Sequence, residues 1–138
     1  MEPSSNPIRI LLVEDSGIQA KATVKLLNEI GYSSVVASPG VDQALELLRT
    51  RSFDVILCDW SMPGRSGLDL LKEVREIPEL SSKPFIFLTA HAEKEIVMEA
   101  VKSGATDYLV KPPQAGILKD KLRKLSNQIA CASSRESV

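Results

Sequence analysis

The chain has 138 residues, of which 43% are hydrophobic and 25% are charged, so it is long enough for one domain that needs no disulfide or metal to fold. Its 17 basic and 18 acidic residues leave a net charge of -1, which argues against binding of DNA or RNA through a basic face. No apolar run is longer than that at Ile10 to Val13, and this excludes a transmembrane helix.

The ends of the chain and its cysteines point to a single cytoplasmic domain. Residues 1–7 lack the basic and apolar regions of a secretory signal. The two cysteines, Cys58 and Cys131, make no disulfide framework, and Cys58 lies in an apolar run where an inert core thiol is expected. We expect a disordered segment at 1–7, a domain at 8–130 and a flexible tail at 131–138.

Five short apolar runs alternate with stretches of helical spacing. Most runs are continuously apolar, which is typical of parallel strands that are covered on both faces, and the weakest, the second, predicts an edge strand. The predicted strands are Ile8–Val13, Ser34–Ala37, Val55–Cys58, Phe85–Leu88 and Tyr108–Val110. Five alternations of strand and helix predict an open, doubly wound α/β sheet.

The intervening segments predict five amphipathic helices. The first begins after Ser16 as N-cap and ends at Gly31, and the second covers Val41–Thr50. The third is capped by Ser66 and ended by Pro78. The apolar stripes of the five helices are Ala20, Val24 and Leu27; Ala44 and Leu48; Leu70, Val74 and Ile77; Ile96, Val97, Ala100 and Val101; and Leu118, Leu122, Leu125 and Ile129.

Polar residues that suit phosphoryl chemistry follow four of the strands. In an open α/β sheet, ligands bind outside the carboxyl ends of the strands. Three carboxylates, a hydroxyl and an ammonium should therefore meet at one edge, from Glu14, Asp15, Asp59, Thr89 and Lys111. Three neighbouring carboxylates repel, so either their pKa values rise or a cation neutralises them, and an oxygen-only site suits Mg2+. These are the parts needed to accept and hold a phosphoryl group.

The order and spacing of these motifs resemble the receiver domain of two-component response regulators. The motifs run from Arg9 to about Leu125 and are Glu14-Asp15, Asp59-x-x-Met62-Pro63, Thr89-Ala90, Gly104-Ala105 and Asp107-Tyr108-Leu109-Val110-Lys111-Pro112. The resemblance implies a flavodoxin-like (βα)5 fold whose five parallel strands have the order 2-1-3-4-5. It also implies a phosphorylation-activated signalling switch that catalyses only its own phosphorylation and dephosphorylation.

The resemblance assigns the acceptor and the metal ligands. Asp59 would accept the phosphoryl group. Asp15 and Asp59 would bind Mg2+, or Mn2+ in its place, together with the backbone carbonyl of Ser61, while Glu14 would act through water.

The resemblance also assigns the residues that hold and report the phosphoryl group. The side chains of Lys111 and Thr89 would contact it, together with the backbone amides of Trp60 and Ala90. Thr89 and Tyr108 would form the switch.

The segment after the fifth strand carries one expected feature of the family and one departure from it. The resemblance implies a cis bond between Lys111 and Pro112, and proline is the residue before which a cis bond costs least. Many receivers have a large apolar residue next, whereas this chain has Pro113. We expect Pro113 to change the shape of the family's output face, which is formed by the fourth helix, the fifth strand and the fifth helix.

The resemblance implies protein partners. A sensor histidine kinase or a phosphotransfer protein would donate the phosphoryl group, and a downstream protein would read the result, with no membrane and no nucleic acid involved. The chain would be a monomer or a phosphorylation-dependent dimer. It would be either a stand-alone, chemotaxis-type regulator or the N-terminal receiver of a longer regulator, and the sequence leaves both open.

Two other classes of protein share parts of the pattern. An aspartyl-phosphate hydrolase of the haloacid dehalogenase type also has a nucleophilic Asp at a strand end, but it needs a second acid two residues later, where this chain has Ser61. A flavodoxin-like FMN protein needs a first loop that accepts phosphate, whereas Glu14 and Asp15 would repel it. Turnover of a phosphomonoester would identify the first class, and a yellow chromophore the second.

Overall fold

The computed structural model describes residues 8–60, 62, 64–90 and 94–136, and at 94 and 129–136 it describes the backbone alone. The strands are β1 (Ile10–Val13), β2 (Val35–Ser38), β3 (Val55–Asp59), β4 (Phe85–Thr89) and β5 (Asp107–Val110). The helices are α1 (Gly17–Glu29), α2 (Val41–Thr50), α3 (Gly67–Glu76), α4 (Lys94–Lys102) and α5 (Ala115–Glu136). Strands and helices alternate in chain order, as the sequence predicts.

The five strands form one parallel sheet in the order β2-β1-β3-β4-β5, which confirms the predicted fold class. Ile10 of β1 pairs with Val35 of β2 on one side and with Val55 of β3 on the other. Every residue of β1, β3 and β4 is buried, whereas β2 at the edge is largely not. The continuous apolar runs therefore belong to the inner strands, which helices cover on both faces.

Two hydrophobic cores lie on opposite faces of the sheet. Helices α2, α3 and α4 cover one face, and the α2–α4 core contains Leu11, Val13, Leu45, Leu48, Ile56, Cys58, Leu70, Val74, Phe85, Phe87 and Ala100. Helices α1 and α5 cover the other face, and the α1–α5 core contains Ile10, Leu12, Ala20, Leu27, Leu57, Ile86, Leu88, Leu109, Leu118, Leu122 and Leu125. Alternate residues of each inner strand belong to alternate cores, as the two-residue period of a strand requires.

Five of the predicted stripe residues are less buried than the helical spacing indicates. In α1 the buried residue is Thr23, and Val24 is half-buried at the margin of the α1–α5 core. Ile77 is the C-cap of α3 and is half-buried. Of the four stripe residues of α4, Ala100 is buried, Ile96 and Val97 are half-buried, and Val101 is 64% exposed. Spacing assigns residues to a helix face, but the tilt of the helix on the sheet decides which of them reach the core.

The last helix is longer than the sequence predicts. Its predicted apolar stripe ends at Ile129, whereas α5 continues to Glu136. After Gly116 this helix contains no glycine or proline, so no residue of the type that usually ends a helix interrupts it. The predicted segment at 1–7 and the side chain of Ile129 lie outside the described residues. In the part of the chain that is described, no helix has the length and apolar character needed to cross a membrane.

Candidate functional site

The predicted site residues meet at the carboxyl edge of the sheet. Asp59 and Thr89 are the last residues of β3 and β4, while Glu14 and Lys111 directly follow β1 and β5. The preceding residues Val13 and Cys58 face the α2–α4 core, so the two-residue alternation of a strand directs Glu14 and Asp59 to the side of the sheet on which α1 lies. Four separate strands thus bring these residues to the same edge of the sheet.

Three carboxylates form the acidic part of the site. One oxygen from each of Glu14, Asp15 and Asp59 lies within 4.8 Å of the others. Glu14 and Asp59 are buried, and Asp15 is exposed. Burial raises the pKa of Glu14, and the neighbouring charge of Asp59 adds to the rise, while hydrogen bonds from Lys111 and the backbone of Ser16 oppose it. The site therefore holds negative charge that is only partly compensated by the protein.

The ammonium of Lys111 lies against this cluster. Its Nζ is 2.7 Å from Oε1 of Glu14 and 3.1 Å from Oδ1 of Asp59. It also donates to the amide oxygen Oε1 of Gln19 at 2.7 Å. Burial lowers the pKa of Lys111, but its contacts with Glu14 and Asp59 outweigh this and raise the pKa overall. Lys111 therefore stays protonated at neutral pH and supplies a fixed positive charge beside Asp59.

The donor set of the acidic cluster fits a hard divalent cation. All three groups are carboxylates, and oxygen ligands of this kind are those that Mg2+ and Mn2+ prefer. The exposed position of Asp15 gives the cluster one side open to solvent, which suits an ion that keeps several waters. The fourth predicted ligand, the carbonyl of Ser61, lies outside the described residues.

Backbone hydrogen bonds fix the segments from which the other predicted contacts come. The N–H of Lys111 donates to the carbonyl of Thr89 at 2.7 Å, and the N–H of Trp60 donates to the carbonyl of Leu88 at 2.8 Å. The Trp60 amide is thus engaged in the β3–β4 ladder, and a contact with a phosphoryl group would require this amide to be shared. Thr89 is buried, and Ala90 beside it is exposed.

The predicted switch tyrosine lies in β5 next to the end of β4. Tyr108 is half-buried, packs against the α2–α4 core and is the register partner of Phe87. The bond between Lys111 and Pro112 is cis. Pro113 lines a surface groove with Tyr108, so the departure from the family pattern lies beside the residue proposed to report the signal.

Two contributors to the site were not predicted from the sequence. Gly67 begins α3 so close to β3 that an added Cβ would lie 2.3 Å from the carbonyl oxygen of Asp59. Gln19 reaches Lys111 from α1, although the two residues are 92 positions apart in the sequence. A glycine near a helix start and a glutamine on an exposed face are both common, so neither residue type signals such a role by itself.

Cys58 precedes Asp59 in β3 and is fully buried. Burial, followed by the charges of Asp59 and Glu14, raises the pKa of Cys58 well above its usual value. Its Sγ donates to the carbonyl of Asp59 at 3.3 Å. The thiolate that would react with oxidants or metals is therefore disfavoured, in keeping with the predicted core role.

Residues 10–123 match the family described as response regulator receiver domain. The chain belongs to this family. The match spans all four strand ends of the candidate site, and it favours a receiver over the hydrolase and the FMN protein considered above. It also supports a general role in two-component signalling.

Individual relatives agree with the family match. The chain is 35% identical to chemotaxis protein CheY-3 of Vibrio cholerae over 88% of its own length and 94% of that protein. It is 33% identical to chemotaxis protein CheY of Pseudomonas aeruginosa over 88% of its length and 98% of that protein.

Solved structures show the same fold. A receiver domain of the Francisella response regulator 1452 superposes with a TM-score of 0.79 at 30% identity, covering 88% of this chain and 98% of that one. The chemotaxis protein CheY4 of Vibrio cholerae gives a TM-score of 0.79 at 30% identity, covering 86% and 98%.

Proposed function

We propose that this receiver is a signalling switch that accepts a phosphoryl group on Asp59. The observation that carries the proposal is the position of Asp59 at the end of β3, where Oδ1 lies 3.1 Å from Nζ of Lys111 within the acidic cluster. A carboxylate beside a fixed ammonium is a nucleophile whose phosphorylated product has a counter-charge ready.

The reaction is a phosphoryl transfer. A carboxylate oxygen of Asp59 attacks the phosphorus of a phosphohistidine on a kinase or a phosphotransfer protein, or of a small acyl phosphate. A P–O bond to Asp59 forms while the P–N or P–O bond to the donor breaks, and the imidazole or carboxylate of the donor leaves with the bonding electrons. Because such a transition state needs positioning and charge stabilisation rather than further covalent chemistry, a few fixed side chains suffice.

The acidic cluster would hold the cation that this chemistry uses. Asp15 and Asp59 are the proposed direct ligands of Mg2+, with Glu14 acting through water, and the bound ion would offset the negative charge of the carboxylates and of the incoming group. The buried Glu14 holds Lys111 at 2.7 Å, so it also orients the ammonium toward Asp59.

The product would be held by residues from the two neighbouring strands. The ammonium of Lys111 offsets the added negative charge, and the hydroxyl of Thr89 can donate to a phosphoryl oxygen. The hydrogen bond from the Lys111 N–H to the Thr89 carbonyl ties the two contributors together. The backbone amides of Ala90 and Trp60 complete the proposed set.

The signal would leave through the face formed by α4, β5 and α5. Among the described residues, the large hydrophobic side chains that are exposed are Ile18, Met98, Val101, Val110 and Ile117. All but Ile18 belong to α4, β5 or α5, and an interaction surface typically exposes apolar side chains. We propose that a downstream protein or a second copy of the chain binds there, with a cytoplasmic histidine kinase or phosphotransfer protein as donor.

Incubation with acetyl phosphate tests the acceptor assignment. With Mg2+ present, intact-mass spectrometry should show the addition of one phosphoryl group, and hydroxylamine should remove it because an acyl phosphate is labile to this nucleophile. Asp59→Asn should abolish the addition. Asp120→Asn, which alters an exposed carboxylate on α5, is the matched control and should leave it unchanged.

Two results would contradict the proposal. One is a hydroxylamine-stable adduct in the Asp59→Asn protein, which would place the modified group elsewhere. The other is sustained turnover of a phosphomonoester, because that would identify a hydrolase instead of a switch.

A further inference from the structure

We propose that Gln19 is a positioning residue for Lys111, and that its amide oxygen keeps the ammonium in the orientation that phosphorylation of Asp59 requires. The inference rests on the proposed function and adds to it a residue that lies outside the family motifs quoted above. It concerns how the ammonium is held, not which group accepts the phosphoryl group.

Lys111 has as many N–H donors as it has oxygen partners. A protonated lysine has three N–H donors. The structure gives Nζ three oxygen partners, at 2.7 Å in Glu14, 2.7 Å in Gln19 and 3.1 Å in Asp59. The two shorter contacts hold the ammonium, and the third N–H points at the acceptor.

The three oxygens that contact the ammonium differ in charge. Glu14 and Asp59 are charged and belong to the acidic cluster, so a bound cation or a phosphoryl group changes their surroundings directly. Gln19 is neutral and does not belong to the cluster. Its hold on Lys111 can therefore persist through the reaction while the other two contacts change.

Gln19 is itself positioned by the N-cap of α1. It lies in the first turn of α1, where its backbone N–H donates to the Oγ of Ser16, the N-cap, at 3.3 Å. The backbone N–H of Ser16 in turn donates to Oε2 of Glu14 at 3.3 Å. The capped end of α1 thus fixes the carboxylate of Glu14 and the backbone of Gln19, from which the amide oxygen reaches the ammonium.

These contacts have a consequence for rate. A lysine side chain rotates about four bonds and is costly to order. The oxygens of Glu14 and Gln19 therefore orient the ammonium before the phosphodonor arrives. Gln19→Met keeps the length of the side chain but removes the acceptor. We expect it to lower the rate constant of phosphorylation by about two- to tenfold, the effect of losing one hydrogen bond.

The first experiment observes the ammonium without any phosphodonor. In a 1H–15N spectrum, the Nζ signal of Lys111 should be visible in the wild-type protein because its hydrogen bonds slow exchange with water, and Lys111→Arg identifies it. Gln19→Met should broaden or shift this signal while the backbone amide spectrum beyond α1 stays the same. Gln19→Glu, which retains an oxygen at the same chain length, should keep the signal.

The second experiment measures phosphorylation by acetyl phosphate and Mg2+ in the same proteins. Gln19→Met should be slower than wild type, and the control Gln128→Met, which alters an exposed glutamine on α5, should not be. An unchanged Lys111 signal in Gln19→Met overturns the inference, as does an unchanged rate. Loss of the signal in both Gln19→Glu and Gln19→Met also overturns it, because the cause would then be a general disturbance of α1.

Failure of the proposed function would look different. If wild-type protein gains no phosphoryl group that depends on Asp59, the acceptor assignment is wrong whatever the ammonium signal shows. If wild type is phosphorylated and Gln19→Met is equally fast, only the role of Gln19 is wrong.

Discussion

At the scale of single residues, the site places three carboxylates beside one ammonium. Glu14, Asp15 and Asp59 offer oxygens within 4.8 Å of one another, and Lys111 is the cation that contacts two of them. Burial shields Glu14 and Asp59 from water, so their repulsion is screened less than it would be at the surface. The repulsion between these carboxylates therefore lowers the free energy of unfolding of the metal-free protein, and a cost of this kind is common at functional sites.

Removing one carboxylate should reveal this cost. In the absence of metal, we expect Asp15→Asn to unfold at a slightly higher temperature than wild type, by an amount that corresponds to about 1 kcal/mol or less, because Asp15 is exposed and its repulsion is screened. Added Mg2+ should stabilise wild type, since a ligand that binds only the folded state raises the free energy of unfolding, and it should not stabilise Asp15→Asn. Thermal unfolding with and without excess MgCl2 measures both effects.

The control for this experiment is Asp120→Asn, which should keep the wild-type response to Mg2+. A full response in Asp15→Asn would show that the cation binds without Asp15, and the ligand assignment would then be wrong.

At the scale of elements, the start of α3 lies close against β3, the strand that ends at Asp59. Ser66 and Asp69 form a capping box, in which the Ser66 side chain accepts from the Asp69 N–H and the Asp69 side chain accepts from the Ser66 N–H. Gly67, between them, donates its N–H to the carbonyl of Trp60 at 3.2 Å. Helix α3 thus begins next to Trp60 and Asp59 at the end of β3.

Two glycines at equivalent helix positions allow a matched test of this contact. Gly17 and Gly67 each follow a serine N-cap, but an added Cβ meets nothing within 4 Å at Gly17, whereas at Gly67 it would lie 2.3 Å from the Asp59 carbonyl oxygen. We expect Gly67→Ala to lower the free energy of unfolding by about 1–3 kcal/mol, as overpacking does. Gly17→Ala should be neutral or slightly stabilising, because alanine favours the helix.

Urea unfolding of the two variants beside wild type measures these differences. If both alanine variants have the same unfolding midpoint, the close approach of α3 to β3 is not a constraint on this fold.

Features set by local spacing were predictable from the sequence, whereas distances between elements were not. Continuous apolar runs predicted the inner strands, and strand ends predicted where Asp59, Thr89 and Lys111 would lie, because both features follow from local spacing and from the topology of a parallel sheet. The contact of Gln19 with Lys111 and the approach of Gly67 to Asp59 depend on how helices sit on the sheet. Spacing within one element carries no information about such distances between elements.

At the scale of the whole molecule, the candidate site draws its residues from both faces of the sheet. Alternation along the strands directs Asp59 toward the side of α1, whereas Thr89 lies on the same face as Phe87, its neighbour two positions earlier in β4. Tyr108 pairs with Phe87, and Val110 pairs with Thr89, so both share that face with Thr89. A change at Thr89 can therefore reach Tyr108 and the exposed Val110 through adjacent side chains.

This arrangement predicts how phosphorylation becomes a signal. A phosphoryl group adds nearly two negative charges and three acceptor oxygens, and a hydrogen bond from Thr89 to it would bias a two-state equilibrium that includes Tyr108 and the α4–β5–α5 face. Beryllofluoride is a phosphoryl mimic, so backbone NMR shifts of residues 96–125 with and without it measure the bias. Thr89→Ala should still bind the mimic at Asp59 but show smaller shift changes across 96–125. The loss of one hydrogen bond corresponds to about two- to tenfold in the equilibrium constant.

Both the control and the contrary outcome are measured by the NMR shifts of residues 96–125. Thr50→Ala, which removes an exposed hydroxyl at the end of α2, should give the wild-type pattern of shifts. If Thr89→Ala also gives the full wild-type pattern, the signal does not pass through Thr89 and Tyr108, even with Asp59 correctly assigned. A ligand can move such an equilibrium only by its differential affinity for the two states. If the shift changes in Thr89→Ala are instead smaller, those that remain measure what Lys111 and the backbone amides contribute without the hydroxyl.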